Sequence, residues 1–140
     1  MCIKAMARNR MLNPEFWLDE ELATLSAHAR LFYMGIWGIC DDNYATFPDK
    51  HGWLRIQIFP YESVSIPRLL DELGRIGKII SFEENGQKYW YIKNFFKYQR
   101  VEKPSLPKYP KYRGVVGEEL GSSRAEEKRS KEKIREEKKN

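Results

Sequence analysis

Residues 63–94, SVSIPRLLDELGRIGKIISFEENGQKYWYIKN, decide the fold. In the first half Ile66, Leu69, Leu70, Leu73 and Ile76 recur at the spacing of one helical face, which predicts a short amphipathic helix. Ser63 or Ser65 serves as its N-cap, Pro67 is tolerated only near such a start, and Gly77 ends it. In the second half Asn85-Gly86 is a two-residue hairpin signal, because both residues accept the positive φ of a type I′ turn. That turn fixes the register, pairing Ile79 with Ile92, Ile80 with Tyr91, Ser81 with Trp90, Phe82 with Tyr89 and Glu83 with Lys88. A helix followed by a hairpin is the second half of a winged helix-turn-helix. It is equally an ordinary α+β fragment, so the rest of the chain has to discriminate.

With 140 residues the chain has room for one compact domain and a tail. An aromatic content of 14% supports a real core despite 32% charged residues. Cys2 and Cys40, the two cysteines, have neither a CxxC spacing nor a histidine cluster beside them, which predicts a reduced protein without structural metal or cofactor. The longest apolar run, residues 31–40, is far short of the roughly 20 residues of a membrane span. The first residues lack a signal-peptide pattern, so a soluble, cytoplasmic protein without membrane contact is expected.

Charge is strongly segregated within the net +5. Residues 1–13 carry Lys4, Arg8 and Arg10 and no acid; residues 14–86 carry 6 basic against 12 acidic side chains. Residues 87–113 reverse this with 8 basic against 1 acidic, and the remainder is nearly balanced at 8 against 7. A polyanion is the natural partner for a surface built from the second hairpin strand, the segment after it and the arm.

Four regions follow: a basic arm (1–13), a folded domain (14–100), a Pro-rich basic strap (101–117) and a charged tail (118–140) that is disordered or marginally helical. Asn13-Pro14 marks the entry to structure, and Phe16, Trp17, Leu22 and Leu25 suggest a helical turn that brings two large rings onto the core. Asp19, Glu20 and Glu21 read as acids favoured in a first helical turn rather than as a metal or acid–base site. Ser26 caps the next helix, AHARLFYMGIWGIC, which is apolar almost all round; Gly35 and Gly38 let another element approach it closely. His28 reads as a surface or capping residue, and Asp41-Asp42-Asn43 as a loop without a third metal ligand. In residues 49–58 Leu54, Ile56 and Ile58 alternate as in a strand, whereas Asp49 as N-cap with Trp53, Leu54 and Ile58 fits a helix. Helix is preferred because a winged-helix domain requires one there, with Phe59-Pro60-Tyr61 as the following turn. Beyond the hairpin, Pro104, Pro107 and Pro110 forbid a helix and favour an extended strap, which Phe95 and Phe96 are expected to pack back onto the domain.

The runs FWLDEELATLSAHARLFYMGIW, IFPYESVSIPRLLDELGRIGKII and ENGQKYWYIKNFFKYQR, in that order, resemble the N-terminal winged-helix domain of phage and prophage replication proteins of the replisome-organiser or replication-initiation type. The likeness covers about residues 8–112. It implies a DNA-binding or replisome-assembly role in a bacterial host. Such proteins often carry a further C-terminal domain that engages the replicative helicase or its loader, whereas this sequence runs into the charged tail.

The expected fold is therefore α+β: a winged helix-turn-helix of three helices and a C-terminal hairpin wing, with the strap and tail appended. The expected function is non-catalytic binding of double-stranded DNA, with single-stranded DNA along the strap as a further option. No P-loop, nucleophile elbow or zinc spacing points to an enzyme. The helix over 65–76 presents Arg68 and Arg75 for a groove but sets Asp71 and Glu72 beside them. The larger share of affinity is expected from Lys88 and Lys93 in the wing, Lys97, Arg100 and Lys103 after it, and Arg8 and Arg10 in the arm. The competing expectation is a module that docks a replisome or host protein on Phe82, Tyr89 and Tyr91, provided that the strap leaves that hairpin face open.

Overall fold

The computed structural model describes residues 7–114; the first six residues of the arm, the last residues of the strap and the whole 118–140 tail lie outside it. The described residues form four α-helices and a small three-stranded antiparallel sheet, an α+β arrangement compatible with a winged-helix-like fold. After 3-10 turns at Pro14–Leu18 and Leu22–Thr24 come α1 (Ala27–Ile39), β1 (Thr46–Pro48), α2 (His51–Ile58), α3 (Ile66–Arg75), β2 (Ile79–Glu84), β3 (Gln87–Ile92) and the short α4 (Phe95–Tyr98).

The organising stretch folds as its residues dictate. Ser65 is the N-cap of α3, its hydroxyl accepting from the Arg68 N–H at 3.4 Å. The helix stops in a Schellman motif: Lys78 N–H bonds Leu73 C=O, Gly77 N–H bonds Gly74 C=O, and Gly77 takes φ +77°. Ile66, Leu69, Leu70 and Leu73 are buried. Asn85 and Gly86 both have positive φ, and the hairpin adopts the expected register from Ile79↔Ile92 to Glu83↔Lys88.

The sheet has order β1-β3-β2. Phe47, Ile79, Trp90 and Ile92 point to the helices, where Trp90 packs beside Gly74 of α3. Thr46, Ile80, Phe82, Tyr89 and Tyr91 share the other face. α1 starts at Ser26, whose hydroxyl accepts from Ala29 N–H. Its two glycines do admit neighbours: a Cβ on Gly35 would lie 2.7 Å from Ile58 of α2, and Gly38 C=O accepts from Arg8 N–H.

One element was not anticipated and three readings need correction. Thr46–Pro48 is a strand, too short and too proline-bound to show an alternating pattern. Asp49 does not cap α2, which begins after Lys50 without a side-chain cap; its carboxylate accepts from Trp90 Nε1 at 2.8 Å instead. Phe16 is buried, but Trp17 is 63% exposed and only touches the Phe16 ring edge-on. Asp19 stands at the end of one 3-10 turn, not in the first turn of a long helix, and accepts from Glu21 and Leu22 N–H.

Candidate nucleic-acid interface

Asp41 and Asp42 are buried and decide where the flanking segments lie. One Asp41 oxygen accepts from Asn43 and Tyr44 N–H, closing the loop after α1, and the other accepts from Lys108 and Tyr109 N–H of the strap. Asp42 binds Arg10 at 2.6 Å, Arg8 at 3.2 Å, and the N–H and O–H of Ser105. Burial by itself raises the Asp42 carboxyl, but the Arg10 guanidinium and the two Ser105 donors outweigh it and hold the group below the ordinary carboxylate range. Thr46 Oγ1 donates to Pro110 C=O, and Asn43 donates to Ser105 C=O. Gln99 exchanges two hydrogen bonds with the backbone of Met11.

The strap thus runs over the sheet face opposite the helices. Tyr112 stacks on Tyr91 at 4.8 Å and packs against Phe82, and Tyr109 packs on Tyr89. Tyr91 is buried and Phe82 and Tyr89 are half-buried, so the strap covers much of the hairpin face on which protein docking was expected.

The basic residues separate into two groups. Arg10 has a side chain only 9% exposed, binds Asp42 and Trp37 C=O, and lies over the Phe95 ring at 5.1 Å. Arg8 is tied to Asp42 and Lys103 C=O. Arg75 pairs with Asp71 on the outer face of α3, and Glu72 is occupied by Ser26 at the start of α1, leaving Arg68 exposed with a free guanidinium. By contrast none of the eight cations from Lys88 to Arg113 is in an ion pair among the described residues. Lys88 lies over the Trp90 ring and Lys97 over the Tyr98 ring, contacts that hold the stems and leave the charge outward.

These free cations do not form one cluster. Lys88 and Lys93 sit at opposite ends of β3, about 17 Å apart for five residues of strand. Lys93, Lys97 and Arg100 gather where β3 turns into α4; Lys103, Lys108, Lys111 and Arg113 follow the strap across the outer face of the sheet. The α3 arginines and the strap cations therefore address different sides of the molecule. Sequence reasoning missed Asp41 and Asp42 as anchors, since their strap partners lie 63–68 residues away and no local pattern announces them.

Cys40 is buried, its thiol pushed up to about 12 by burial against a partial counter-pull from Arg10, so it is not a nucleophile at neutral pH. Among the described residues no group of three or more His, Cys, Asp or Glu could hold a metal ion, and no helix is long and apolar enough to cross a membrane. Comparison with protein-family models, with curated proteins and with solved structures finds no match.

Proposed function

We propose that the chain is a winged-helix DNA-binding protein of the phage replication type, acting without catalytic chemistry. The observation that carries this reading is the run of eight cations between Lys88 and Arg113 that form no ion pair among the described residues, where half of the other eight described basic residues, Arg8, Arg10, Arg75 and Lys78, are matched to carboxylates. Leaving like charges unpaired on one continuous segment disfavours the compact state unless a polyanion neutralises them. The element order α1-β1-α2-α3-β2-β3, with β1 closing against the return strand of the hairpin, supports the winged-helix assignment.

In this reading Lys93, Lys97 and Arg100 grip phosphates at the base of the wing, and Lys88 does so at its tip. Arg68 and Arg75 contact the groove more weakly, because Asp71 accompanies them. Arg10 holds the arm to the domain and makes no DNA contact. Arg8, half-exposed beside Asp42, adds little.

Titration of a fluorescent duplex at low salt tests this. Log K should fall linearly with log salt, with a slope of about 0.9 per phosphate engaged. Reversing Lys93, Lys97 and Arg100 to Glu, at sites with no ion pair to break, should abolish binding while leaving the melting curve unchanged. Absence of binding at low salt, or full binding by the triple variant, would overturn the reading.

A further inference from the structure

Large apolar side chains left exposed are ordinary when scattered, and informative when gathered. Among the described residues Met11, Leu12, Trp17, Leu18 and Tyr98 are all exposed, with Leu18 at 81% and Trp17 at 63%. They belong to three segments that the fold ties together: the arm, the Pro14–Leu18 turn and α4. Gln99 at the end of α4 holds Met11, and Arg10 lies over Phe95. Between these segments opens a cavity of about 300 Å³. Phe16, Tyr33, Trp37 and Phe95 line its inner wall, and Leu18 and Tyr98 its mouth.

The polar rim indicates what would enter. On the β3–α4 side stand Lys93, unpaired among the described residues, and Asn94, whose side-chain amide makes no hydrogen bond among them; Lys97 is exposed one turn further on. The charge of Lys78 is already balanced by Asp19 at 2.9 Å and Glu21 at 3.6 Å. Glu15 and Asp19 border the other side. A phosphate chain laid across the mouth would meet those carboxylates, whereas a polypeptide can present acids to one rim and not to the other.

We propose that this surface docks an amphipathic helical segment of a partner protein. One bulky apolar side chain fills the cavity, its neighbours cover Trp17, Leu18 and Met11, and Asp or Glu residues on the segment meet Lys93 and Lys97. Aromatic and methionine side chains around a pocket that buries an anchor are the composition of an interface core, and the unpaired lysines supply selectivity for an acidic partner. The proposal stands apart from DNA binding except that Lys93 and Lys97 serve both, so duplex and segment should compete.

The test selects a displayed library of helical peptides on the immobilised full-length chain and titrates the synthetic winners in solution. Winners should share bulky apolar residues at i and i+3 or i+4, flanked by Asp or Glu. They should lose at least tenfold in affinity against Leu18→Glu and severalfold against Lys93→Ala. Both positions are accessible, and a melting curve establishes that each variant is folded. Leu18→Ser, which removes the apolar contact and adds no charge beside Lys93, should weaken the segment likewise and leave duplex affinity intact, which separates failure here from failure of the DNA reading. The proposal is overturned if no winners emerge, if they lack an acidic bias, or if they bind Leu18→Glu equally well. It is also overturned if Leu18→Glu in the free chain shifts NMR signals of residues 115–140 or dissociates a dimer, since the occupant would then be the tail or a second copy.

Discussion

Replacing Asp41 by Asn changes one oxygen to an NH₂ group without altering shape, and it attacks the point at which the strap is fastened. The carboxylate accepts four backbone N–H groups, two from its own loop and two from the strap, and the residue is 1% exposed. An amide has a single acceptor oxygen, so its NH₂ group must face one pair of N–H donors. The loop donors are two and three residues away in a tight local turn, whereas the strap arrives from 67 and 68 residues further along the chain and can leave without opening the core. The NH₂ group should therefore turn to Lys108 and Tyr109. Two donors lose their partner, at about 1–3 kcal/mol each when buried; discounting for water reaching the loosened strap leaves about 3 kcal/mol. At about 1.4 kcal/mol per factor of ten, the population of strap-open molecules rises roughly 100-fold. Limited trypsin digestion reads this as faster cleavage after Lys108 and Lys111, while cleavage within α3 stays slow. Asp71→Asn, which removes only an exposed ion pair, is the control and should leave the rate unchanged. A rise of less than about threefold, or acceleration at strap and core alike, would refute the account of Asp41 as a strap anchor.

Two further perturbations address the core and the arm. Gly35→Ala places a methyl group 2.7–3.0 Å from three carbons of Ile58, which is β-branched and unable to swing aside; a loss of about 1–3 kcal/mol in urea unfolding is expected, with partial rescue by Ile58→Ala. The Asp42 carboxyl is held below its unfolded value, so its contribution is complete above about pH 5 and drains away as pH falls through about 4 toward the lower folded value. Asp19, which burial raises but Lys78 and the Leu22 and Glu21 N–H groups lower further, acts with the same sign over the same window. Asp42→Asn should be less stable than the natural chain at pH 7 and lose less stability between pH 5 and pH 3; an unchanged slope would count against the Arg10–Asp42 anchor.

What could be read from the sequence was what the chain decides locally. The Ser26 and Ser65 caps, the Gly77 stop and the Asn85-Gly86 turn each depend on residues within a few positions, and the turn carried the whole register with it. The helix over His51–Ile58 was ambiguous by pattern, and only the requirement of the fold selected it. Thr46–Pro48 was illegible because its strand character comes from pairing with Tyr89–Tyr91, more than forty residues later, and not from its own three residues. Trp17 was misplaced for a related reason. The Asn13-capped turn buries Phe16, and the adjacent ring is then directed away from the core. The candidate site divided along the same line: free cations of the 87–113 segment were visible as composition, but which arginines were already neutralised depended on two aspartates whose partners are remote.

That division changes what the charge pattern means. By sequence the arm and the post-hairpin segment look alike, two basic stretches on either side of an acidic domain. In the structure they are opposites, because Asp42 draws the arm's Arg8 and Arg10 inward and makes them part of the fold, while among the described residues no carboxylate answers Lys93, Lys97 or Arg100. Asp42 also binds Ser105, so the same carboxylate that neutralises the arm sets the path of the strap and hence the outer face on which Lys108, Lys111 and Arg113 travel. The helix and hairpin supply a rigid frame, but the placement of positive charge on it is decided by one buried acidic pair, Asp41 and Asp42. A substitution at Arg10 and one at Lys97 remove the same charge from the same net total; the first loosens the domain, and the second leaves it intact and subtracts from the surface available to a polyanion.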